Sequence, residues 1–402
     1  MPREPESRMS SPTSKKCWIA LLILLLCPFA AGAQTWRWSY ESVDDVSTRF
    51  TSVAVDRDGN VHVAYAGDGG SSLKYAFRAA TSNRWFTMLL DNKLQDFATN
   101  LTLDPKGNPQ ICYTPRELKF AHFDGEKWKI EPIAAGEGSI EYNCSILVGS
   151  DGTPRVLWYN TRLANGDNYY HLKHAVLKDG VWTARTVDFD GEDGKWNSMV
   201  LDSQGNPHLV YSAFPSGVLR SNYWNGTSWI PQTGILPQNG IPAAQRTLSA
   251  GMGNSLVLGP QNQLEVSYYE GPVEFKGSHS QTLMKFARQN GSAWSVETVD
   301  SVVQRGDWAG YRSTLMLDKG GFPHICYEDG GSLKHAYSDG KRWHIQVVVP
   351  RGAEPFLYSS MAIGPDDTLY ISYRDSSDGS LKVAIGRTES AISSSTPVEQ
   401  GK

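Results

Sequence analysis

The sequence predicts an all-β protein, a seven-bladed β-propeller with four antiparallel strands per blade and a ring closed by its N-terminal strand. Two observations carry that expectation. First, one phrase returns seven times along the 402 residues: "SVAVDRDGNVHVAY" at 52, "NLTLDPKGNPQICY" at 100, "SILVGSDGTPRVLWY" at 145, "SMVLDSQGNPHLVY" at 198, "SLVLGPQNQLEVSYY" at 255, "TLMLDKGGFPHICY" at 314 and "SMAIGPDDTLYISY" at 360. Repeats of this length, built of short β-rich runs, are the signature of propeller blades. Second, the last unit breaks off near Arg387 without its fourth run, while "WSYESVD" at 38–44 matches "WSVETVD" at 294–300 and "WTARTVD" at 182–188. The N-terminal strand therefore completes the last blade, which only a closed ring requires.

The elements follow in order. Lys15 and Lys16 precede the apolar run "CWIALLILLLCPFAAGA", which ends on small residues at Ala31 and Ala33. This pattern predicts a secretory signal peptide over 1–33, cleaved after Ala33, and a secreted or periplasmic protein. The run is too short for a good anchor, and no later stretch is apolar enough to span a bilayer, so membrane insertion is not expected. The propeller then occupies 38–387. Within each unit the first two runs are the repeated phrase. The third begins "LKYA" at 73, "LKFA" at 118, "LKHA" at 172, "LRSN" at 219, "MKFA" at 284, "LKHA" at 333 and "LKVA" at 381. Trp85, Trp128, Trp182, Trp229, Trp294 and Trp343 open the fourth. The runs are rich in Val, Ile, Tyr and Trp and bounded by Gly, Asn and Asp, as strands are. Residues 388–402 are polar and predict a disordered tail. A ring that closes on itself leaves few exposed edges, and a monomer is expected.

Charge and composition exclude several classes. The net charge is −4 with no basic stripe, so nucleic acid is not an expected partner. Cys112, Cys144 and Cys326 follow the signal; an odd count leaves at least one thiol unpaired and rules out a disulfide scaffold. Zinc patterns, phosphate loops and dinucleotide fingerprints are missing, so no cofactor is expected. No metal is expected either. Asp56 and Asp58 read as hairpin turn residues, and "DFDGEDG" at 188–194 lacks the spacing of a calcium loop.

The hairpin "SDGKRW" at 338–343 is similar to the Asp-box turn of sialidase-like (BNR-like) repeats, as found in exported bacterial propellers; one position is deleted and the threonine is missing. The resemblance covers essentially the whole mature chain and implies the propeller fold. The three arginines and the Tyr–Glu pair that a sialidase active site needs have no assigned counterparts here, so a sialidase is not expected.

Chain direction sorts the loops into two faces. The first carries uniform short turns between strands 1 and 2 and between strands 3 and 4. The second carries unequal 2–3 loops and 4–1 crossovers, and variable loops on a rigid ring are where function sits. Repetition assigns His62, His208 and His324, and likewise His174 and His335, to the scaffold. The strand 3 cations Lys74, Lys119, Lys173, Arg220, Lys285, Lys334 and Lys382 read as structural ion-pair partners of acids such as Asp188 and Asp300. Phe50, Phe97, Tyr142, Trp196, Tyr311 and Tyr358 precede strand 1 near the channel mouth. Aromatic faces there suit sugar rings, and inter-blade packing explains them equally.

The richest variable loops belong to blades 3, 5 and 6. They supply His171, His279, Tyr311 and Arg305 as candidate catalytic groups. Tyr169, Tyr170, Tyr269, Glu270, Lys276, Asp307, Trp308, Arg312 and Trp196 are candidate substrate contacts. Tyrosine or histidine with arginine suits β-elimination of a uronic acid polymer; facing carboxylates suit glycoside hydrolysis. The expected function is a carbohydrate-active propeller with one asymmetric pocket on the variable face, a polysaccharide lyase or a glycosidase. The alternative is a non-catalytic module that binds a glycan or a protein.

Overall fold

The computed structural model of the protein describes residues 35–92, 98–115, 117–133, 139–164, 167–187, 193–213, 217–235, 248–272, 279–305, 312–352 and 358–389. The expected signal segment lies outside them. Strand β1 is Trp36–Asp44. Blade 1 follows as β2 (Arg49–Val55), β3 (Val61–Gly67), β4 (Ser72–Arg78) and β5 (Phe86–Asn92). Blade 2 is β6 (Thr99–Leu103), β7 (Pro109–Tyr113), β8 (Lys119–Phe123) and β9 (Trp128–Pro132). Blade 3 is β10 (Ser139–Val148), β11 (Pro154–Ala164), β12 (Asp167–Lys178) and β13 (Val181–Thr186). Blade 4 is β14 (Asp193–Leu201), β15 (Pro207–Ala213), β16 (Val218–Trp224) and β17 (Trp229–Ile235). Blade 5 is β18 (Leu248–Leu258), β19 (Leu264–Pro272), β20 (His279–Asn290) and β21 (Ala293–Arg305). Blade 6 is β22 (Ser313–Leu317), β23 (Pro323–Asp329), β24 (Ser332–Ser338) and β25 (Trp343–Val349). Blade 7 is β26 (Ser360–Ile363), β27 (Leu369–Arg374) and β28 (Leu381–Thr388), with β1 as its outer strand.

The protein is thus a seven-bladed β-propeller of four-stranded antiparallel sheets, as expected. The closing pair runs antiparallel from Trp36↔Thr388 to Asp44↔Leu381. It begins two residues before Trp38, and Thr388, assigned to the tail from sequence, belongs to β28. The buried Trp36 side chain, 5% exposed in the blade 6–7 cluster, accounts for that extension.

The second strands are the most enclosed; every residue of β3 and β7 is buried. Each lies between two neighbours in its own sheet and between two adjacent blades. Among the described residues, apolar side chains form seven clusters, each joining neighbouring blades: Val53 and Val63 with Leu381 and Val383 between blades 7 and 1, for instance, and Leu157 and Leu172 with Leu209 and Tyr211 between blades 3 and 4. The core is therefore a ring of inter-blade contacts, and each blade is incomplete alone.

Polar contacts recur with the same period. In the 1–2 turns Asp56 Oδ1 accepts from the backbone N–H groups of Asp58 and Asn60, and Asp104 and Asp202 repeat this. His62, His208 and His324 sit 3.3–3.6 Å from the turn aspartates, so the scaffold reading of these three histidines holds. Lys334 meets Asp300 at 2.8 Å, and the Tyr327 hydroxyl donates to the same carboxylate at 2.8 Å. Lys119 and Tyr113 share Asp91 of the preceding blade in the same way. Of the predicted cation ring, Lys74, Lys119 and Lys334 latch neighbouring blades, whereas Lys285 pairs with Glu270 and Lys382 with Asp375 within their own blades; Asp188 lies outside the described residues.

A further latch joins the outer strands. Trp85 Nε1 donates to Glu41, Trp182 to Glu131 and Trp343 to Glu297, at 2.9–3.1 Å. Each glutamate stands three residues after a tryptophan near the start of the preceding outer strand, Trp38, Trp128 or Trp294. A disulfide joins Cys112 of blade 2 to Cys144 of blade 3. Cys326 is a free, buried thiol between blades 6 and 7.

Candidate functional site

The first strands run inward from the variable face, so their opening residues encircle the channel mouth. Side-chain oxygens at one repeat position bond the next blade there. Ser52 Oγ accepts from Leu101 N–H, Asn100 Oδ1 from Ile146, Ser198 Oγ from Leu256, Ser255 Oγ from Leu315, and Ser360 Oγ from Val53, at 2.9–3.3 Å. In blade 3 the bond reverses, and Ser145 Oγ donates to the carbonyl of Asn197 at 3.0 Å. This belt narrows the channel below the mouth. Above it lies a cavity of about 130 Å3, lined by belt residues and by Trp196, Asn254 and Arg312.

Local irregularities aim those side chains inward. The inner strands of blades 3, 4 and 5 are bulged near their starts. Gly194 and Gly251 take φ of 105° and 97°, and a Cβ at either would strike Leu172 or Leu219 within 3 Å. Asn197 and Asn254 close the bulges by donating to the carbonyls of Gly194 and Gly251 at 2.9 and 2.8 Å. Asn254 also donates to the Trp196 carbonyl at 3.0 Å and so fixes the indole-bearing segment. Phe50 and Tyr358 both adopt left-handed backbone, φ 45° and 48°, which is costly for aromatic residues. Their rings pack 4.7 Å apart, and the Arg312 guanidinium lies 5.6 Å from the Phe50 ring. Desolvation draws the Arg312 pKa down to about 10 against the opposing pull of Glu328 and Tyr358, so it stays a cation at neutral pH.

The sequence-predicted residues divide. Trp196 and Arg312 line the mouth cavity. His171, Tyr169 and Tyr170 lie on β12 and not in a loop: Tyr169 pairs with Arg162, Tyr170 with Thr161 and His171 with Asn160, because the β11–β12 hairpin stays paired out to Ala164↔Asp167. His279 and Arg305 are likewise strand residues, and the backbone places them directly opposite each other at the far end of the β20–β21 hairpin. The side chains of Tyr169, Tyr170, His279 and Arg305 are outside the description. Tyr311, Lys276, Asp307 and Trp308 lie outside the described residues, as do Phe97 and the acidic segment at 188–192.

Two expected contacts have other work. Tyr269 is fully buried; its hydroxyl accepts from the backbone N–H of Glu328 at 2.9 Å and donates to the Glu328 carbonyl at 3.1 Å, clamping blade 5 to blade 6. Glu270 is mostly enclosed and pairs with Lys285 at 3.6 Å. Sequence reasoning missed Asn254 and Asn197, although "GKWN" and "GMGN" share a Gly-x-x-Asn spacing that marks the bulges.

Comparisons with known proteins bear on the fold. No family model matches the chain, and no curated protein does. Among solved structures, an ulvan lyase of polysaccharide lyase family PL25, bound to a glucuronate–sulfated rhamnose unit, aligns with TM-score 0.57 at 13% identity, covering 90% of this chain and all of that one. A catalytically inactive virginiamycin B lyase from Staphylococcus aureus aligns with TM-score 0.56 at 11% identity, covering 88% and 99%. The six-bladed fucose-binding lectin from Aleuria aurantia aligns with TM-score 0.50 at 16% identity, covering 77% and 99%. At these identities the likeness is one of fold alone.

Proposed function

We propose that the protein is an exported, carbohydrate-active propeller that takes an anionic polysaccharide at the variable face and cleaves it as a lyase. One observation carries the reading: a desolvated guanidinium, Arg312, and an indole, Trp196, line the same mouth cavity. The cation suits a uronate carboxylate and the indole suits a sugar face. The cavity is smaller than the roughly 300–1,000 Å3 of an ordinary ligand pocket. It therefore takes one sugar residue of the polymer.

In the proposed reaction a base removes the proton on the carbon beside the carboxylate. Arg312 stabilises the enolate-like charge as it develops. The bond from the neighbouring carbon to the glycosidic oxygen then breaks, a carbon–carbon double bond forms, and the leaving oxygen takes up a proton. His171 on β12 and His279 on β20 are the candidate bases, with Tyr311 a further candidate and Arg305 opposite His279. Export is supported by the Cys112–Cys144 disulfide, which belongs to an oxidising compartment.

A second reading, a non-catalytic glycan-recognition module, is favoured by a different observation. Among the described residues lining the mouth cavity, Arg312 is the only ionisable side chain. Incubation with uronate and neutral polysaccharides separates the two. New ultraviolet absorbance from unsaturated uronate ends, lost in Arg312→Lys, supports the lyase. Binding without product supports the module, and neither binding nor product removes both.

A further inference from the structure

A second groove lies between blades 3 and 4 and opens on the opposite, short-turn face. Its volume is about 490 Å3, and Arg155, His174, Lys178, Arg185, Asn206 and Trp224 contribute to its lining. No aspartate or glutamate is among the described residues that line it. Three cations without an acid make it unlike the latched seams elsewhere in the ring.

The tryptophan–glutamate latch of the Trp85, Trp182 and Trp343 seams does not form at this one. Where the tryptophan–glutamate latch forms, the glutamate stands three residues after the preceding blade's tryptophan. After Trp182 that position is Arg185. Trp229, whose indole should donate there, keeps a buried Nε1 with no acceptor. A buried unmet donor is destabilising. The seam thus forgoes stability and gains an exposed guanidinium, which lies 5.2 Å from the Trp224 ring.

The other side chains are arranged to the same end. Blade 3 carries Arg155 where blades 1, 4 and 6 carry His62, His208 and His324. Arg155 is held by donation to the Thr153 carbonyl at 3.0 Å, with Asp151 3.6 Å away on its turn side. His174 is buried, its Nε2 has no partner, and its ring meets the Trp229 ring edge-on at 5.2 Å. Desolvation, aided by Arg155 and Arg185, pulls the His174 pKa down to about 3, so a neutral imidazole faces the groove.

We propose that this groove is a second binding site, for an anionic sugar residue that bears a sulfate ester or a carboxylate. Arg155 and Arg185 grip the oxyanion from two blades, with Lys178 at the rim. His174 Nε2 supplies a neutral polar contact, and Trp224 faces the sugar ring. The site is remote from the mouth and stands whether or not the mouth is catalytic.

Calorimetric titration of the whole mature protein tests it, with a chondroitin sulfate tetrasaccharide, an unsulfated hyaluronan tetrasaccharide and inorganic sulfate as probes. At least one tetrasaccharide binds, at least about tenfold tighter than inorganic sulfate. Arg155→Ala and Arg185→Ala each weaken that binding by about tenfold or more. Arg185→Glu restores an acceptor for Trp229, so it abolishes binding while raising Tm, which separates a lost site from a lost fold. The proposal is overturned if neither tetrasaccharide binds or if binding is unchanged in both alanine variants. It also fails if inorganic sulfate binds as tightly as the sugars, since the groove is then a simple anion hole. Mouth turnover read in Arg312→Lys is independent of all these outcomes.

Discussion

Lys74 and Asp44 meet at 2.6 Å across the seam where the chain's first strand completes its last blade. The Tyr65 hydroxyl donates to the same carboxylate at 2.5 Å. Burial would raise the Asp44 pKa, but these hydrogen bonds and the lysine charge outweigh it and hold it below the usual value. A depressed folded-state pKa gives stability that is present above the unfolded value, about 3.9, and lost as pH falls through the folded one. Asp44→Asn should cost about 1–3 kcal/mol at neutral pH, and that difference should shrink in acid. Denaturant unfolding at neutral pH and below pH 4 checks both parts.

Burial of the His174 imidazole gives a second acid-sensitive handle, in a higher pH window. Its pKa is lowered from 6.5 to about 3. Below the ordinary value the unfolded chain takes up a proton that the folded one refuses. Stability should therefore fall between about pH 6.5 and 3, by at most about 1.4 kcal/mol per pH unit from this group. Comparison with His174→Phe by thermal unfolding across that window should show a shallower acid slope in the variant.

The belt around the channel predicts a graded defect. Ser255→Ala leaves the Leu315 N–H without its acceptor and should cost about 1–3 kcal/mol, with Ser198→Ala similar. Both sites lie in the mouth cavity wall, so glycan titration should accompany the unfolding curves.

The disulfide predicts a redox dependence. Cys112 and Cys144 are separated by 32 residues, and closing such a loop stabilises by about 3–4 kcal/mol in the chain-entropy account. A Cys112→Ser, Cys144→Ser double variant should unfold at correspondingly lower denaturant, and the wild type in reducing buffer should approach it.

The ring was legible in the sequence because every blade repeats the same tyrosine, cation and tryptophan, and because "WSYESVD" stood at the wrong end of the chain. The latches were legible in part. The sequence named Lys334 among the paired cations and Asp300 among the acids, but not Trp343 with Glu297, whose meeting depends on how outer strands of neighbouring blades align. The site was harder. Arg312 and Trp196 were visible as candidates, whereas Tyr269 was misread because strand alternation near the blade 5–6 seam turns it inward. Tyr169–His171 and His279 looked like loop residues, since they precede the repeated third run that begins at 172 and at 284; cross-strand pairing extends the hairpins through them. Arg185 was hidden, because an arginine is remarkable there only once the glutamate it displaces is known.

Cys326 carries a practical consequence of ring closure. Its thiol is enclosed between blades 6 and 7 beside Ser359, and burial pushes its pKa well up. In the intact ring it is shielded from alkylating reagents and from exchange with the Cys112–Cys144 pair. Blade 7 is stitched from both ends of the chain, so detachment of β1 strips Trp36 from that same seam. The rate at which a thiol reagent modifies Cys326 under native conditions is therefore a clock for how often the circle comes undone.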